Sequence, residues 1–248
     1  MQTKAKIAVN LLPLGETAIF VEFGKEIKPE IHYKIKSFTD YLEAHPFPGL
    51  VEYVAAFCSV AVYYDPLKVK TMGLADTTGQ DVSVYETVAA LVRKILDKLE
   101  YSTDPAPRIV KIPVCYGGEF GPDLDYVAKY NNLTAQEVIE IHTGGQYLVY
   151  MIGFAPGFPY LGGMSEKIAT PRRETPRMSI PAGAVGIAGM QTGVYPISTP
   201  GGWQLIGRTP VALFCPDKNP PTLLQAGDSI RFYPISPAEY AAYGEGNP

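Results

Sequence analysis

The stretch from Gly144 to Thr209 is rich in turn-forming residues, and it limits the possible folds of this chain more than any other segment. It holds 13 glycines and seven prolines in 66 residues, about 30%, against 47 in 248, about 19%, for the whole chain. Because glycine and proline interrupt helices, long helices are disfavoured here. Short strands joined by tight turns are expected instead, as in a small β-barrel or sandwich.

The segments on either side of this stretch show clearer periodic patterns. The capping box Thr134–Glu137 predicts the start of a helix, and the glycines at 144–145 predict its end. Two apolar runs, 211–215 and 229–235, are predicted to be strands that close the β region.

The first 100 or so residues alternate between strand and helix patterns. Strands are predicted over 15–23 and 108–115, and the segment 52–64 is predicted to hold either two strands or one long one. One helix is predicted to begin at Pro29 and another after the capping box Ser83–Glu86. The resulting β-α-β-β-α-β order is that of the ferredoxin-like fold.

A proline-containing segment at 103–107, TDPAP, predicts a linker. We therefore predict an α+β chain of two domains. The first is a ferredoxin-like domain over 1–105, and the second is a β-barrel over 106–248.

The composition is that of an ordinary globular protein, with 46% hydrophobic and 19% charged residues. The net charge of −4 argues against nucleic acid as the main partner. The N-terminus has no long apolar run, so neither a signal peptide nor a membrane span is expected. Cys58, Cys115 and Cys215 are expected to be buried thiols, and a cytoplasmic location is predicted.

Several motifs that would indicate a particular chemistry are missing from the sequence. It has no G-x-x-x-x-G-K-[ST] phosphate loop and no G-x-S-x-G serine, and its glycine run at 183–193 lacks dinucleotide-binding spacing. The histidines (His32, His45, His142) and the cysteines never approach metal-ligand spacing, so no metal site is predicted. A self-contained hydrolase, dehydrogenase or metalloenzyme therefore has little support.

The turn-rich stretch is basic, with five basic and two acidic residues, and its net charge of +3 leaves −7 for the rest of the chain. These residues are Lys167, Arg172, Arg173, Arg177 and Arg208, with Glu166 and Glu174. Three arginines lie within six residues in TPRRETPR, which prolines stiffen. Guanidinium groups match carboxylate and phosphate oxygens, so an anion-binding site is predicted. The same residues could instead form a solvated basic turn that pairs with the two glutamates.

The aromatic residues of this stretch also allow two interpretations. Core packing is the default for Phe154, Phe158, Tyr160, Tyr195 and Trp203. The alternative is a ligand wall or a protein interface, where tyrosine and tryptophan are enriched.

Two further polar residues are candidates for ligand contact. Gln191, close to two glycines, could offer its amide to a ligand. His142 lies at a predicted helix end, where it could act as an acid or base or interact as a cation with the helix dipole.

Long contiguous segments closely resemble the carboxyltransferase-type family that includes the B subunit of 5-oxoprolinase, allophanate hydrolase subunit 1 and the sporulation-kinase inhibitor KipI. The resemblance extends from about residue 10 to 236. Its segments are GFAPGFPYLGGM (153–164), ATPRRETPR (169–177), IPAGAVGIAGMQTGVYP (180–196), STPGGWQLIGRTP (198–210), YGGEFGPDLDYVA (116–128) and QAGDSIRFYPI (225–235).

The resemblance implies a cyclophilin-like barrel for the second domain. It also implies a partner subunit of homologous architecture (PxpC- or KipA-like) and a third subunit (PxpA-like). The implied reaction is the ATP-dependent opening of 5-oxo-L-proline to L-glutamate, with ATP and Mg²⁺ acting in the complex. We expect the isolated chain to be inactive.

Three other functions stay open at this point. The chain could be a KipI-like inhibitor of a histidine kinase, which would act by binding alone. It could be half of a urea-carboxylase or allophanate-type carboxyltransferase, which would need a biotin-carrying partner. A peptidyl-prolyl isomerase would rest on fold analogy only.

Overall fold

The computed structural model describes residues 9–71, 82–99 and 107–245 of the chain, with the side chains of 244 and 245 left out. Two compact units are present, Met1–Ala106 and Pro107–Pro248. Most of the linker predicted at 103–107 lies outside the described residues.

The first unit contains one antiparallel sheet. Its strands are β1 (Asn10–Pro13), β2 (Ala18–Glu22), β3 (Leu50–Ala55) and β4 (Ser59–Tyr64). They lie in the order β1-β2-β4-β3, so β2 and β4 are central. Alternate side chains of these two strands are fully buried, as expected for a sheet with one face on a core. The region 52–64 thus contains most of β3 and all of β4, and not one long strand.

Helices cover the apolar face of this sheet. They are α1 (Pro29–Ala44), α2 (Pro66–Lys70) and α3 (Val84–Lys98). As predicted, α1 begins at Pro29, where the fixed φ of proline suits a first helical residue. The predicted capping box at α3 is also formed between Ser83 and Glu86. Both long helices contribute buried side chains to one core with the sheet, among them Ile35, Phe38, Leu42, Val88 and Val92.

The last strand of the predicted β-α-β-β-α-β order belongs to the second unit. Residues 109–116 pair there, and β1 fills the edge of the first sheet beside β2. Hydrophobic periodicity indicates that a segment is a strand but not which strand it pairs with. The first unit is therefore α+β with an antiparallel sheet, and the ferredoxin-like order is not confirmed.

The second unit is dominated by strands. They are β5 (Ile109–Tyr116), β6 (Tyr147–Ile152), β7 (Pro159–Gly162), β8 (Arg177–Ile180), β9 (Ala184–Ala188), β10 (Gln191–Val194), β11 (Thr199–Gly201), β12 (Gln204–Arg208) and β13 (Ser229–Pro234). Seven form a sheet in the order β10-β9-β12-β5-β13-β6-β7, in which only β5 and β13 run parallel. Its two edges approach each other, because a Cβ built on Gly193 in β10 would lie 3.4 Å from the Pro159 carbonyl oxygen in β7. The sheet is therefore nearly closed and barrel-like.

Short helices accompany this sheet. They are α4 (Leu124–Tyr130), α5 (Ala135–Gly144) and α6 (Pro237–Glu245), with a 3₁₀ turn at Glu166–Ile168. The capping box predicted at Thr134 and Glu137 is formed at the start of α5. Buried side chains of α4, α5 and the sheet share one core, among them Ile112, Val114, Val127, Val138, Val185, Ile187 and Ile206.

The prediction of a strand at 211–215 is wrong. This segment makes a single isolated bridge, between Phe214 and Thr222. Pro220 and Pro221 lie opposite it and lack the N–H groups that a regular ladder needs. In contrast, the strand predicted at 229–235 is present as β13.

Within residues 9–71, 82–99 and 107–245, no helix is both long and apolar enough to cross a membrane. The same residues contain no group of three or more His, Cys, Asp or Glu side chains that could hold a metal ion. All three thiols are free. Cys115 is buried as expected, but Cys58 and Cys215 are half-buried.

Candidate functional site

A tight turn leads from β5 to α4 and places Asp123 beside β12. Gly117 has a φ of 71°, in the left-handed region that glycine adopts without steric cost. Gly121 packs directly on β12, where a Cβ would overlap the carbonyl oxygen of Ile206. The N–H of Asp123 then donates to the Leu205 carbonyl oxygen at 2.9 Å. These contacts fix Asp123 against the sheet.

The carboxylate of Asp123 joins three segments of the second unit. Its Oδ1 accepts hydrogen bonds from Arg173 Nη1 at 3.2 Å and from Arg177 Nη2 at 2.8 Å. Its Oδ2 accepts from the Leu205 N–H at 2.7 Å. Asp123 is only 6% exposed, so this carboxylate is a buried charge whose partners are two guanidinium groups and one backbone amide.

Each of the two arginines keeps a buried N–H group without a partner among the described residues. These groups are Arg173 Nε and Arg177 Nη1. A buried donor without an acceptor costs about 1–3 kcal/mol. Two guanidinium groups and one carboxylate also leave a net charge of +1. The cluster therefore has both the charge and the free donors to bind an anionic oxygen.

Two hydrogen bonds hold residues 170–177, the arginine loop, in place. The Arg173 N–H donates to the Gly202 carbonyl oxygen at 2.7 Å, and Gln204 Nε2 donates to the Pro171 carbonyl oxygen at 3.0 Å. Arg172, between these anchors, is exposed. Within the part of the chain that the structure describes, its guanidinium group makes no hydrogen bond or ion pair. Arg172 is thus the loop arginine available for contacts from outside.

The predicted aromatic residues form one cluster around Phe158. Its ring centroid lies 5.3 Å from that of Tyr160, 5.5 Å from Tyr195 and 5.7 Å from Trp203, all edge-on. Phe158, Tyr195 and Trp203 are buried, Tyr160 is half-buried and Phe154 is 68% exposed. Core packing thus accounts for the three buried rings, and Tyr160 and Phe154 present surface to solvent.

Tyr195 links the aromatic cluster to the arginine loop. Burial raises the pKa of Tyr195 to about 12, although Arg172, a hydrogen bond from the backbone N–H of Trp203 and Arg177 act in the opposite direction. The phenol therefore stays protonated at neutral pH, and its O–H remains a hydrogen-bond donor.

His142 is a core residue, and neither an acid or base nor a cation at a helix end. It is fully buried, stacks on Phe232, and its pKa is lowered to about 3 by burial. Thr192 donates its hydroxyl to the Gly186 carbonyl oxygen, so it must accept from His142 Nε2 at 3.0 Å. Nδ1 then accepts from the Tyr116 hydroxyl at 2.7 Å. Only the neutral Nε2–H tautomer satisfies all of these bonds.

Arg208 and Gln191 have other neighbours. Arg208 Nε donates to the Ala182 carbonyl oxygen at 2.8 Å. Gln191 opens β10 and pairs with Ala188 in β9. The structure therefore brings together Arg173 and Arg177, with Arg172 and Tyr195 beside them, but places Arg208 and Gln191 outside the Asp123 cluster.

Asp123 is the residue that sequence reasoning missed. It stands at the N-cap of α4, where an aspartate normally accepts a hydrogen bond from the first turn of the helix. Its side chain makes no such bond here and turns toward the arginines instead. The only signal in the sequence was the glycine-rich turn YGGEFGPD, which marks a loop but not an ion pair across 50 residues.

Comparisons with known proteins give one family. The model of the carboxyltransferase domain, subdomain C and D, matches residues 9–224. The B subunit of 5-oxoprolinase from Bacillus subtilis (strain 168) is 54% identical over 235 residues, which cover 94% of this chain and 95% of that protein.

Two solved structures are also similar. PH0987 from Pyrococcus horikoshii, described as a conserved uncharacterized protein, is 43% identical, with a TM-score of 0.53, and the match covers 93% of this chain and 100% of that one. TTHA0988 is 33% identical, with a TM-score of 0.74, and the match covers 88% of this chain but 40% of that longer one.

Proposed function

Since the chain belongs to the family of the carboxyltransferase domain, subdomain C and D, we propose that it is a subunit of an ATP-dependent 5-oxoprolinase complex. The observation that carries this proposal is the 54% identity to the B subunit of a 5-oxoprolinase over nearly the full length of both chains. The complex would convert 5-oxo-L-proline to L-glutamate with hydrolysis of ATP. The chain would work beside a PxpC- or KipA-like subunit and a PxpA-like subunit in the cytoplasm, and would be inactive alone.

The proposed domains follow the two compact units. A ferredoxin-like assignment over 1–105 draws support from the antiparallel α+β architecture of the first unit. A cyclophilin-like assignment over 106–248 draws support from the nearly closed sheet of the second unit.

The chemical task is to open a planar lactam. Transfer of the terminal phosphoryl group of ATP to the lactam carbonyl oxygen would turn that oxygen into a leaving group. Water would then add to the carbon and the ring C–N bond would break, which would free the amine and leave γ-glutamyl phosphate. A second water would cleave this acyl phosphate to glutamate and inorganic phosphate. Negative charge builds up on oxygen atoms in the first of these steps, and fixed guanidinium groups stabilise such charge.

The arginine loop is the proposed location of this stabilisation. Arg172 is exposed, and Arg173 and Arg177 keep buried donors without partners. The ligand group would be a carboxylate or a phosphoryl group, and Mg²⁺ would enter with ATP. Tyr195 and the exposed faces of Tyr160 and Phe154 would border the site.

The test is to purify the chain with its co-expressed partner subunits and to assay ATP hydrolysis that depends on 5-oxo-L-proline. Formation of glutamate supports the proposal. Histidine-kinase inhibition without ATP hydrolysis would instead select the binding protein, and urea-stimulated bicarbonate incorporation would select the carboxyltransferase. Either of these results would overturn the 5-oxoprolinase function.

Substitution of the loop arginines gives a more local test. The double variant Arg172→Ala/Arg173→Ala should abolish turnover in the complex. Because Arg173 also compensates the buried Asp123, the single variant Arg172→Ala is the cleaner probe, and unchanged turnover in it would contradict the proposed role of the loop.

A further inference from the structure

We propose that Asp123 is a positioning residue, which holds Arg173 and Arg177 as a preformed pair that binds one carboxylate or phosphoryl group. This inference deepens the proposed function, and it rests on that function for the identity of the ligand. The pair itself is defined by contacts within the second unit.

The geometry of the pair is set by one oxygen atom. Asp123 Oδ1 accepts from both guanidinium groups, at 3.2 and 2.8 Å, so the two donating nitrogens lie close to each other. Their like charges would repel at this separation without the carboxylate between them. Removing the charge of Asp123 would therefore alter the spacing and orientation of the pair.

The unpartnered donors of the two arginines indicate that the pair binds a ligand. Arg173 Nε and Arg177 Nη1 are buried, yet neither meets an acceptor among the described residues. Asp123 does not satisfy them, since its Oδ1 accepts from two other guanidinium nitrogens and its Oδ2 accepts from the Leu205 N–H. The oxygen atoms of an external ligand would accept hydrogen bonds from both donors. The net positive charge of the cluster favours a negatively charged ligand.

Because the two arginine side chains are ordered before a ligand binds, binding is more favourable. A free arginine side chain loses rotamer entropy when it is fixed. In this cluster that ordering is complete before a ligand arrives, because Asp123 is itself anchored to β12 through the Leu205 N–H. Binding therefore loses less free energy to side-chain ordering.

A matched control exists in the same unit. Asp228 is also buried, its Oδ1 accepts from Arg108 Nε at 2.8 Å, and its Oδ2 accepts from the Gln225 N–H at 2.8 Å. Arg108 directly precedes β5, whereas Asp123 follows the end of that strand. Eight residues of strand separate the two sites, roughly 26 Å at about 3.3 Å per residue. Asp123→Asn and Asp228→Asn thus make the same chemical change at distant positions.

The experiment compares both variants with the wild type in the assembled complex. It measures thermal unfolding, kcat, and KM for 5-oxo-L-proline and for ATP. We expect both variants to lose stability but only Asp123→Asn to lose kcat/KM, by on the order of 10- to 100-fold. A raised KM for 5-oxo-L-proline assigns the bound group to its carboxylate, and a raised KM for ATP assigns it to a phosphoryl group. Equal kinetics in the two variants would overturn the proposal.

A second variant decides the question if Asp123→Asn does not assemble. Arg173→Lys keeps a positive charge for Asp123 but removes the Nε–H donor. It should lower kcat/KM to a similar extent, and turnover within about twofold of the wild type would overturn the proposal.

A complex that hydrolyses no ATP in the presence of 5-oxo-L-proline would overturn the proposed function but not the pair. Titration calorimetry of the wild-type chain and Arg173→Lys with inorganic phosphate and with 5-oxo-L-proline then tests the pair alone. Binding of either ligand that is lost in the variant supports the pair, and no binding to the wild type overturns it.

Discussion

At Asp123, one carboxylate compensates two arginines that lie 50 and 54 positions further along the chain. The spacing of the arginines in TPRRETPR was visible in the sequence and indicated an anion site. Their partner was not visible, because an ion pair between distant segments leaves no local pattern. The glutamates Glu166 and Glu174, which charge balance had suggested as partners, form no ion pair with these arginines among the described residues.

The arginines therefore differ in their predicted effect on stability. Arg172→Ala should change the free energy of unfolding by less than about 0.5 kcal/mol, because the side chain is exposed. Arg173→Ala should lower it by about 1–3 kcal/mol, because a buried carboxylate loses a donor. Urea denaturation followed by circular dichroism measures both values, and equal effects would contradict the assigned contacts.

Buried His142 predicts a pH dependence of stability. Its pKa is about 3 in the folded chain, because of burial, against an ordinary value of 6.5. Well above pH 6.5 His142 is neutral in both the folded and the unfolded state, so it does not make the stability depend on pH. Between pH 6.5 and 3 only the unfolded state binds the proton, and stability should fall by about 1.4 kcal/mol per pH unit.

The measurement is the free energy of unfolding of the wild type and of His142→Gln at several pH values from 7 to 4. The variant should be less stable at pH 7 but should show a shallower decline toward pH 4. Parallel declines in the two proteins would show that His142 does not stay neutral in the core.

At the scale of elements, local chemistry predicted helix starts better than strand pairing. The capping boxes at Ser83 and Thr134 are both formed, because each depends only on residues three positions apart. In contrast, 211–215 has a strand-like composition but no regular ladder. Its partner segment contains Pro220 and Pro221, and which segments lie opposite each other is decided by the whole fold.

The turn between β5 and α4, which positions Asp123, allows a prediction about stability. Gly121→Ala should destabilise the chain by about 2–4 kcal/mol, because the new Cβ would overlap the backbone of β12 at Ile206. Gly144→Ala is the matched control. That glycine ends α5, has open space around it and does not need a positive φ, so the change should be neutral or stabilising, by up to about 1 kcal/mol.

Unfolding midpoints of the two glycine variants test this prediction. If Gly121→Ala were as stable as Gly144→Ala, the close packing of the turn on β12 would be wrong. The placement of Asp123 that depends on this turn would then be wrong as well.

At the scale of the whole molecule, the strand-rich character of the second unit followed from glycine and proline content. The pairing partner of each strand did not follow from it. The segment at 109–116 was predicted as a strand, but its parallel partner, β13, begins 120 residues later at Ser229, opposite Ile109. Pairing over such a distance is decided by the closure of the sheet, and periodicity carries no information about it.

At this scale the proposed role of the chain is that of a required, arginine-bearing subunit of an ATP-dependent 5-oxoprolinase complex. The measurement that tests it most directly is ATP hydrolysis dependent on 5-oxo-L-proline, with glutamate formation followed in the same reaction. It compares complexes reconstituted with the wild-type chain, with Arg172→Ala and without the chain. We predict equal amounts of ADP and glutamate with the wild type. Much less of both products should form with Arg172→Ala, and neither product should form without the chain. Full turnover without the chain would contradict the account.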